Sequence, residues 1–426
     1  MSTDVGSTEP ETWLPLRKNR DFIFLQVGQT FSTIGGASTG IAYPLLTLAL
    51  THSPAKAGLV GFAHLLPWPL LGFIAGVIAD RSQRKRVMIT TDIVRVAAVA
   101  SLVVALALDA LSFVQIVLVA FVEGTMYVLF NVAEFGALRS VVPTHQLPVA
   151  VAAEQARYST VSLVAPPLGG ALFGLGRSLP WVANALSVMF SLGSLLAIRT
   201  PFQEQRDEKE IEGLHSELAE GFRWLWGHAF LRACAILFTG TNLVYEGLFL
   251  IMIVVGKRQG LSSGQIGALI AVFGVCSLLG SFAAPRLQRL LSMKQIVICS
   301  FWFQLAIAVF IAKPSVYVLL AGALPMALFL PTANATVIGY RVAVVPDRLT
   351  GRVNSVARTI ALSGAPLGPL LAGSMLGSLS ARATVAAFAG VLLVLAVLAT
   401  MNRAIRNAPS LSELEPTPEA SPAATG

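Results

Sequence analysis

The chain is poor in charge. Only 12% of its 426 residues are Asp, Glu, Lys or Arg, whereas 55% are hydrophobic, and a water-soluble domain carries roughly 25% charged residues. A chain with half the usual charge has too few polar side chains to cover a surface in water. The composition therefore excludes an ordinary soluble protein and favours one that lies in a lipid bilayer.

Cysteine is equally scarce. Cys234, Cys276 and Cys299 all fall in apolar runs, and their spacing fits neither a disulfide framework nor a zinc site. We find no phosphate loop and no metal-binding motif, so we predict no cofactor, no bound metal and no enzymatic activity. The net charge of +8 is spread over short segments and not gathered on a soluble domain, which argues against nucleic acid as a partner.

Long apolar runs occupy most of the chain. A membrane span needs about 20 mostly apolar residues to cross ~30 Å of hydrocarbon. Twelve segments satisfy this condition, near residues 22–49, 55–79, 87–108, 111–135, 148–174, 179–198, 230–256, 262–284, 292–312, 315–340, 353–377 and 381–402. The sequence therefore predicts an all-α integral membrane protein with twelve transmembrane helices.

Positive charge lies mainly on one side of these spans. If the N-terminus is cytoplasmic, the cytoplasmic segments hold 21 of the 30 Lys and Arg residues and the opposite loops hold six. Cytoplasmic loops of membrane proteins carry such an excess of Lys and Arg. We therefore expect both termini in the cytoplasm.

One sizeable polar segment separates two sets of six spans. We predict a cytoplasmic tail over 1–20, a six-helix bundle over 21–200, a linker over 201–229, a second six-helix bundle over 230–405 and a disordered tail over 406–426. Within the linker, Leu214, Leu218, Phe222 and Leu225 recur at helical spacing beside two tryptophans. This pattern predicts an amphipathic helix on the inner leaflet.

The two halves carry related motifs. Val-Pro precedes both span 5 and span 11, at 142–143 and 345–346, and the sequence at 165–170 is echoed at 364–369. The two pairs lie 203 and 199 residues apart. Because each half has an even number of spans, the two copies share one orientation, so the sequence predicts two parallel six-helix repeats.

A basic hairpin joins spans 2 and 3. It carries five formal charges in the seven residues from Asp80 to Arg86, and with Gly76 it resembles the loop signature of the major facilitator superfamily. The Pro-Leu-Gly-Gly at 167–170 resembles the superfamily's antiporter signature. The Glu-Gly-Phe-Arg at 220–223 resembles the corresponding sequence in one branch of the superfamily. That branch contains bacterial macrolide-efflux, multidrug-efflux and siderophore-export proteins. The resemblance covers residues ~15 to 405.

This resemblance implies a monomeric transporter of the major facilitator fold in a bacterial inner membrane. It implies export of a hydrophobic or amphiphilic small molecule, such as a drug, an antibiotic or a secondary metabolite, by proton antiport and alternating access. The partners are then that substrate, protons and the bilayer. A siderophore exporter and a lysophospholipid flippase of the same fold are alternatives, and a non-transporting membrane receptor is a third.

Ionisable groups within spans are candidates for transport, because hydrocarbon makes them costly. Glu123 and Glu246 are the first two proton candidates, since a carboxylate shielded from water binds a proton more readily. Glu123 either faces a water-filled cavity or makes a structural hydrogen bond. Further residues expected to take part in substrate binding or proton coupling are Gln29, His64, Tyr127, Asn131 and Asn242. His64 has the alternative of a packed, hydrogen-bonded side chain.

A second group of residues is expected to control conformational change. It comprises Gly76, Asp80, Arg81, Arg84, Lys85, Asp92, Arg95, Pro166, Pro167, Gly169 and Gly170. Asp92 and Arg95 either join Asp80 and Arg84 in a network that locks one conformation, or form an ion pair that only anchors a helix end. In span 5 the prolines bend the helix and the glycines allow close approach, which predicts either a rocking helix or a static kink.

Overall fold

The computed structural model describes residues 16–200, 202 and 214–408, and the regular structure within those ranges is helical. Eleven helical segments are long and apolar enough to cross a membrane. The twelfth span is span 2, which consists of two helices that are each too short to cross alone. The prediction of an all-α membrane protein with twelve spans is confirmed.

The helices of the spans have the following bounds: span 1 Arg20–Thr51, span 2 Pro54–Leu65 and Pro67–Arg81, span 3 Arg84–Ala107, span 4 Phe113–Val141, span 5 Leu147–Leu175, span 6 Leu179–Ala197, span 7 Ala229–Arg258, span 8 Ser263–Leu290, span 9 Met293–Gln304 with the short continuations Leu305–Ala308 and Val309–Ala312, span 10 Val316–Val344, span 11 Asp347–Leu362 and Leu367–Ser378, and span 12 Ala381–Met401. Two further α-helices are Leu214–Gly227, in the linker, and Arg403–Arg406, and short 3-10 helices cover Leu16–Lys18 and Thr144–Gln146. We call the side where span 1 begins and span 12 ends the terminal side, and the opposite side the far side.

Several spans begin at side-chain caps. The Ser53 hydroxyl accepts from the amide of Lys56 at the start of span 2, and Ser112 does the same for Gln115 in span 4. Ser262 and Gln265 form a capping box at the start of span 8. These hydroxyls satisfy amides that have no partner within the helix, so the short polar loops fix where each span starts.

Prolines interrupt spans 2 and 11 but not span 5. In span 2 the helix breaks at Leu66, directly before Pro67, as the sequence predicts. Span 11 is interrupted over 363–366, around Pro366. Proline has no amide hydrogen and removes a helical hydrogen bond. Span 5 nevertheless remains one helix across two consecutive prolines, so the corresponding spans of the two repeats differ in shape.

The two halves of the chain meet most closely near the far side. A β-carbon at Gly58 in span 2 would lie 2.3 Å from the carbonyl oxygen of Pro369 in span 11. A β-carbon at Gly170 in span 5 would lie 2.3 Å from the carbonyl oxygen of Ser263 in span 8. Only glycine permits such contact between backbones. The far-side ends of these helices are therefore packed together in this structure.

The predicted linker helix is present and rests against the start of span 11. Glu220 pairs with Arg348, at 3.0 Å between Oε1 and Nη1, and also with Arg352. Phe222 and Trp226 stack on each other at 5.0 Å between ring centroids and are exposed. The helix thus binds span 11 through its acidic side and turns an aromatic pair outward.

Some predictions fall on residues outside the described set. Residues 203–213, in the linker, and 409–426, in the predicted disordered tail, are among them. The side chains of Asp80 and Arg81 and the surroundings of Gly76 also lie outside what the structure describes. The domain boundaries at 200 and 230 stay a prediction.

Candidate functional site

Glu123 lies in a buried polar cluster of the first six spans. Its carboxylate accepts hydrogen bonds from the Tyr43 hydroxyl and from Nδ2 of Asn184, both at 2.6 Å. The side chain is 2% exposed. This arrangement does not place Glu123 on a water-filled cavity and matches the alternative of a structural hydrogen bond. Its part in proton coupling stays a prediction.

Aromatic rings enclose this cluster. The Tyr43 ring packs against Trp181, at 4.5 Å between centroids, and against His64, at 5.5 Å. Nδ1 of His64 lies 3.2 Å from the carbonyl oxygen of Ala120. His64 is therefore packed and hydrogen-bonded beside Tyr43, and not isolated in the span.

A second buried polar cluster joins spans 1, 3 and 6. Arg95 donates to the Ser32 hydroxyl at 3.1 Å and lies 3.4 Å from Asp92. Ser191 donates to the other oxygen of Asp92 at 2.8 Å, and Gln29 donates to Ser191 at 3.2 Å. Asp92 and Arg95 are almost completely buried. Asp92 and Arg95 therefore form an ion pair inside the bundle, and whether it locks one conformation or only anchors the helix end stays a prediction.

Span 6 connects the two clusters. Asn184, Ser187, Ser191 and Ser194 are spaced by three and four residues, which puts them on one face of a helix. Span 1 faces them with glycines: β-carbons at Gly28 and Gly35 would lie within 2.0 Å of serine hydroxyl oxygens. This polar face of span 6 was not identified from the sequence, although the spacing of its polar residues by three and four indicates it.

The basic hairpin contacts backbone of the first half. Arg84 donates to the carbonyl oxygen of Gly136 at 3.2 Å, and Lys85 donates to that of Ile198 at 2.6 Å. These contacts tie the start of span 3 to spans 4 and 6. Arg84 also reaches the carbonyl oxygen of Phe202 in the linker, at 3.5 Å, and the gating role of the hairpin stays a prediction.

The polar residues of span 4 near the terminal side contact span 5. Asn131 donates to the Tyr158 hydroxyl at 2.7 Å. Nη2 of Arg157 lies 2.6 Å from Glu134 and 3.8 Å from Glu154. Glu134 and Arg157 are buried. Span 4 thus uses its polar stripe to bind three helices, spans 1 and 6 through Glu123 and span 5 through Asn131 and Glu134.

Tyr127, between those two regions, faces the second half of the protein. Its ring meets Trp68 edge to face, with 6.0 Å between centroids. The guanidinium of Arg358, in span 11 of the second half, lies 4.8 Å from the ring centroid of Trp68, in span 2 of the first half. Trp68 and Tyr127 are half-buried and Arg358 is exposed. These three residues bring the two halves into contact at an open position.

The polar stripe of span 7 supports the interruption in span 11. Thr239 donates to the carbonyl oxygen of Ile360 at 2.6 Å, and Asn242 donates to that of Ala361 at 3.0 Å. These carbonyls lie in the last turn before the break, where helical donors become scarce; that of Ile360 also accepts from the Ser363 amide at 3.1 Å. Asn242, predicted as a substrate contact, therefore uses its amide to complete the backbone of span 11.

Glu246, one turn further along span 7, has no hydrogen bond or ion pair among the described residues. Its side chain is half-buried. A β-carbon added at Gly368, just past the interruption in span 11, would lie 3.1 Å from the Glu246 β-carbon. A carboxylate without a partner inside a span is costly, which distinguishes Glu246 from the satisfied Glu123.

An apolar cavity of about 220 Å³ lies between the two halves. One of its lining residues, Tyr245, is the sequence neighbour of Glu246. Span 5 contributes Ser162 and Pro166, and span 7 contributes Tyr245 and Phe249. Phe273 of span 8 meets the Tyr245 ring edge to face at 5.5 Å. The cavity offers aromatic and aliphatic surface with few polar atoms, which suits an apolar part of a small molecule.

The small residues of span 5 have separate contacts. A β-carbon at Gly169 would meet the carbonyl oxygen of Ser38 in span 1 at 2.3 Å, whereas Gly170 faces span 8. Pro166 lines the apolar cavity, and its carbonyl oxygen lies 2.5 Å from a β-carbon built at Gly267. Span 5 therefore holds both halves closely, and whether it rocks between them stays a prediction.

Twelve spans, with contacts between spans 2 and 11 and between spans 5 and 8, have the arrangement of the major facilitator fold. Solved structures of that fold agree. A bacterial homologue of the human lysosomal transporter spinster, inward-facing and occupied, matches with a TM-score of 0.75 at 15% identity, over 92% of this chain and 98% of that one. An inward-facing bacterial homologue of the iron transporter ferroportin matches with a TM-score of 0.70 at 17% identity, over 91% and 99%.

The family model described as "Transmembrane secretion effector" matches residues 10–422, so the chain belongs to that family of the major facilitator superfamily. Multidrug efflux pump Tap of Mycobacterium tuberculosis (strain ATCC 25618 / H37Rv) is 29% identical over 423 residues, which cover 94% of this chain and 97% of Tap. Macrolide efflux protein A of Streptococcus pyogenes is 24% identical over 230 residues, or 53% and 56% of the two chains. The resemblance read from the motifs is confirmed.

Proposed function

We propose that the protein exports a hydrophobic or amphiphilic small molecule from a bacterial cell by proton antiport, as a monomer with both termini in the cytoplasm. Two relatives carry the names multidrug efflux pump and macrolide efflux protein, which supports a drug-like substrate. The apolar cavity between the halves supports the same class, because it offers surface to a ligand of low polarity.

The unpartnered Glu246 carries this proposal. It is a half-buried carboxylate in span 7, and the described residues supply it with neither a cation nor a hydrogen-bond donor. In hydrocarbon such a group needs a proton, water or a charged ligand group beside it. We therefore assign the transported proton to Glu246, next to the interruption in span 11.

The tight far-side contacts support an inward-facing state. Glycine backbones close the far side at both contacts between the halves, and the far side is extracellular if the basic segments are cytoplasmic. Export then requires these contacts to separate while the terminal side closes, which is the alternating-access movement of the two halves. Release of substrate outside and uptake of a proton by Glu246 would accompany the opened state.

The proposal is tested with purified protein in liposomes that hold a pH gradient and an internal pH dye. Macrolides, cationic dyes and siderophores are added in turn to the wild type and to Glu246→Gln. We expect compounds of one class to collapse the gradient in the wild type and not in the variant. Glu123→Gln is measured in parallel, since its role in coupling is also a prediction.

Asp109→Asn is the matched control, because Asp109 is an exposed carboxylate in the loop between spans 3 and 4 and has a left-handed backbone that asparagine tolerates. This variant should behave like the wild type. Gradient collapse by Glu246→Gln equal to that of the wild type would remove Glu246 as the proton carrier. Substrate uptake without any proton movement would contradict antiport itself.

A further inference from the structure

Arg358 occupies an unusual position for a charged side chain. It is the twelfth residue of the helix Asp347–Leu362 in span 11, which places it about 17 Å from the start of that helix at about 1.5 Å per residue. The side chain is nevertheless exposed. An exposed guanidinium at this depth must face an opening between helices, because hydrocarbon would not solvate it.

The contacts of Arg358 leave its charge uncompensated. Its guanidinium lies over the ring of Trp68, 4.8 Å from the centroid, and no carboxylate pairs with it among the described side chains. A cation–π contact attracts the guanidinium but accepts none of the five N–H donors of arginine. Arg358 is therefore held in place with its hydrogen-bonding capacity unused.

Two other arginines that lie well inside their spans, Arg95 and Arg157, are different. Arg95 is buried and paired with Asp92, and Arg157 is buried and lies against Glu134. Each has an acidic partner in its own half of the protein. Along span 4, Glu123 and Glu134 lie four and seven residues from Tyr127, and both are engaged, Glu123 by Tyr43 and Asn184 and Glu134 by Arg157. Of Arg95, Arg157 and Arg358, only Arg358 has no acidic partner among the described side chains.

The surroundings of Arg358 are aromatic. Trp68 meets Tyr127 edge to face at 6.0 Å, and both rings are half-buried. Aromatic faces bind planar ring systems, and a guanidinium binds carboxylate, sulfonate or phosphate oxygens through charge-assisted hydrogen bonds. The aromatic rings and the guanidinium are adjacent, so a single ligand that carries both a planar ring system and an acidic group can bind to them together.

We propose that Arg358, Trp68 and Tyr127 form an anion-accepting subsite for the transported molecule, which therefore carries an acidic group next to an aromatic or planar body. This inference rests on the proposed function as an exporter, and it adds an acidic group to the hydrophobic or amphiphilic molecule proposed as the substrate. Trp68 and Tyr127 belong to the first half and Arg358 to the second. A ligand in this subsite touches both halves, so its binding free energy acts on their relative position.

The test measures binding and needs no transport. Purified protein in phosphatidylcholine nanodiscs is titrated with 8-anilinonaphthalene-1-sulfonate and, separately, with N-phenyl-1-naphthylamine, which has the same rings but no sulfonate. Energy transfer from tryptophan reports binding. We expect Arg358→Gln to weaken binding of the sulfonate by about tenfold or more, as for loss of a charge-assisted hydrogen bond, and to leave the neutral probe unchanged. Arg358→Lys should lose less.

Two controls accompany it. Arg382→Gln removes an exposed arginine at the far-side start of span 12 and should leave both probes unchanged. Trp68→Leu removes the ring and should weaken both. Equal affinities of Arg358→Gln and the wild type for the sulfonate would overturn the proposal, and so would an equal loss for both probes.

A lipid headgroup is the other possible source of the anion. Nanodiscs with added phosphatidylglycerol distinguish it: displacement of the sulfonate that depends on Arg358 would identify a lipid site and overturn the subsite for substrate. Binding without any export by the wild type would contradict only the proposed function. Export of an acidic compound that is unaffected by Arg358→Gln would contradict only the subsite.

Discussion

Replacing Glu123 tests whether the cluster around it is a dry hydrogen-bonded unit. Its carboxylate accepts from Tyr43 and Asn184, each at 2.6 Å, and all three side chains are buried. Glu123→Leu keeps apolar bulk but leaves both donors without an acceptor. Glu123→Gln keeps one oxygen acceptor and adds an amide.

The two variants should lower the free energy of unfolding by different amounts. A buried donor left unsatisfied costs about 1–3 kcal/mol, so Glu123→Leu should lower the free energy of unfolding by about 2–6 kcal/mol. In Glu123→Gln the new amide can donate to Oδ1 of Asn184, which has no partner in the described part of the chain. Neutral hydrogen bonds then replace charge-assisted ones, at a cost of about 1–2 kcal/mol.

Reversible unfolding in mixed micelles measures these values, with tryptophan emission as the signal because Trp181 packs on Tyr43. The double variant Glu123→Leu/Asn184→Leu removes one stranded donor and should recover about 1–3 kcal/mol. Thr125→Val on the same span is the control, since Thr125 bonds only to a carbonyl of its own helix among the described contacts. Equal stability of the leucine and glutamine variants would refute the dry cluster and indicate that water reaches Glu123.

Three further predictions concern other elements. Gly170→Leu should hold the far side open, because its β-carbon would meet a span 8 carbonyl at 2.3 Å. In a Ser277→Cys background, the thiol in the apolar cavity should then react faster with an impermeant thiol reagent. Gly174→Leu is the control and should not change the reaction rate, because a β-carbon at Gly174 meets open space. Burial lowers the pKa of His228 below its usual 6.5, so its contribution to packing of the linker helix is complete above that value and is lost as the pH falls. The protection factors of the helix amides against hydrogen exchange should therefore fall in acid, and His228→Phe should abolish this pH dependence. Asn242→Leu leaves a carbonyl before the span 11 interruption without its donor and should lower the free energy of unfolding by about 1–3 kcal/mol, measured in the same micelles.

The course of the spans could be predicted from the sequence, but the shapes of individual helices could not. Proline before a long apolar run correctly predicts the break at Pro67 in span 2. Spans 5 and 11 share a similar proline-glycine motif, yet span 5 is continuous and span 11 is interrupted. Side chains of span 7 supply donors to span 11 at that point. Such support depends on tertiary neighbours that a local motif does not contain.

The candidate site was predictable only in part for a similar reason. Helical spacing places Glu123 and Asn131 on one side of span 4, but it does not say which helix faces each residue. The partner of Glu123 is Asn184, 61 residues later, and the partner of Asn131 is Tyr158, in span 5. The sequence places Arg358 within the predicted span 353–377, but its lack of an acidic partner becomes visible only when spans 2, 4 and 11 are placed together.

The far-side contacts have a consequence for the response of the protein to its surroundings. At their closest points they join glycine to the backbone carbonyls of Pro369 and Ser263, and neither partner carries an ionisable group. Ionic strength and membrane voltage act on charges, so this closure should be equally firm in dilute or concentrated salt and at any potential. Sensitivity of the transport cycle to these conditions then originates at charged side chains elsewhere, such as Lys257, which bonds the Ser263 hydroxyl, and Glu246 and Arg358 within the spans.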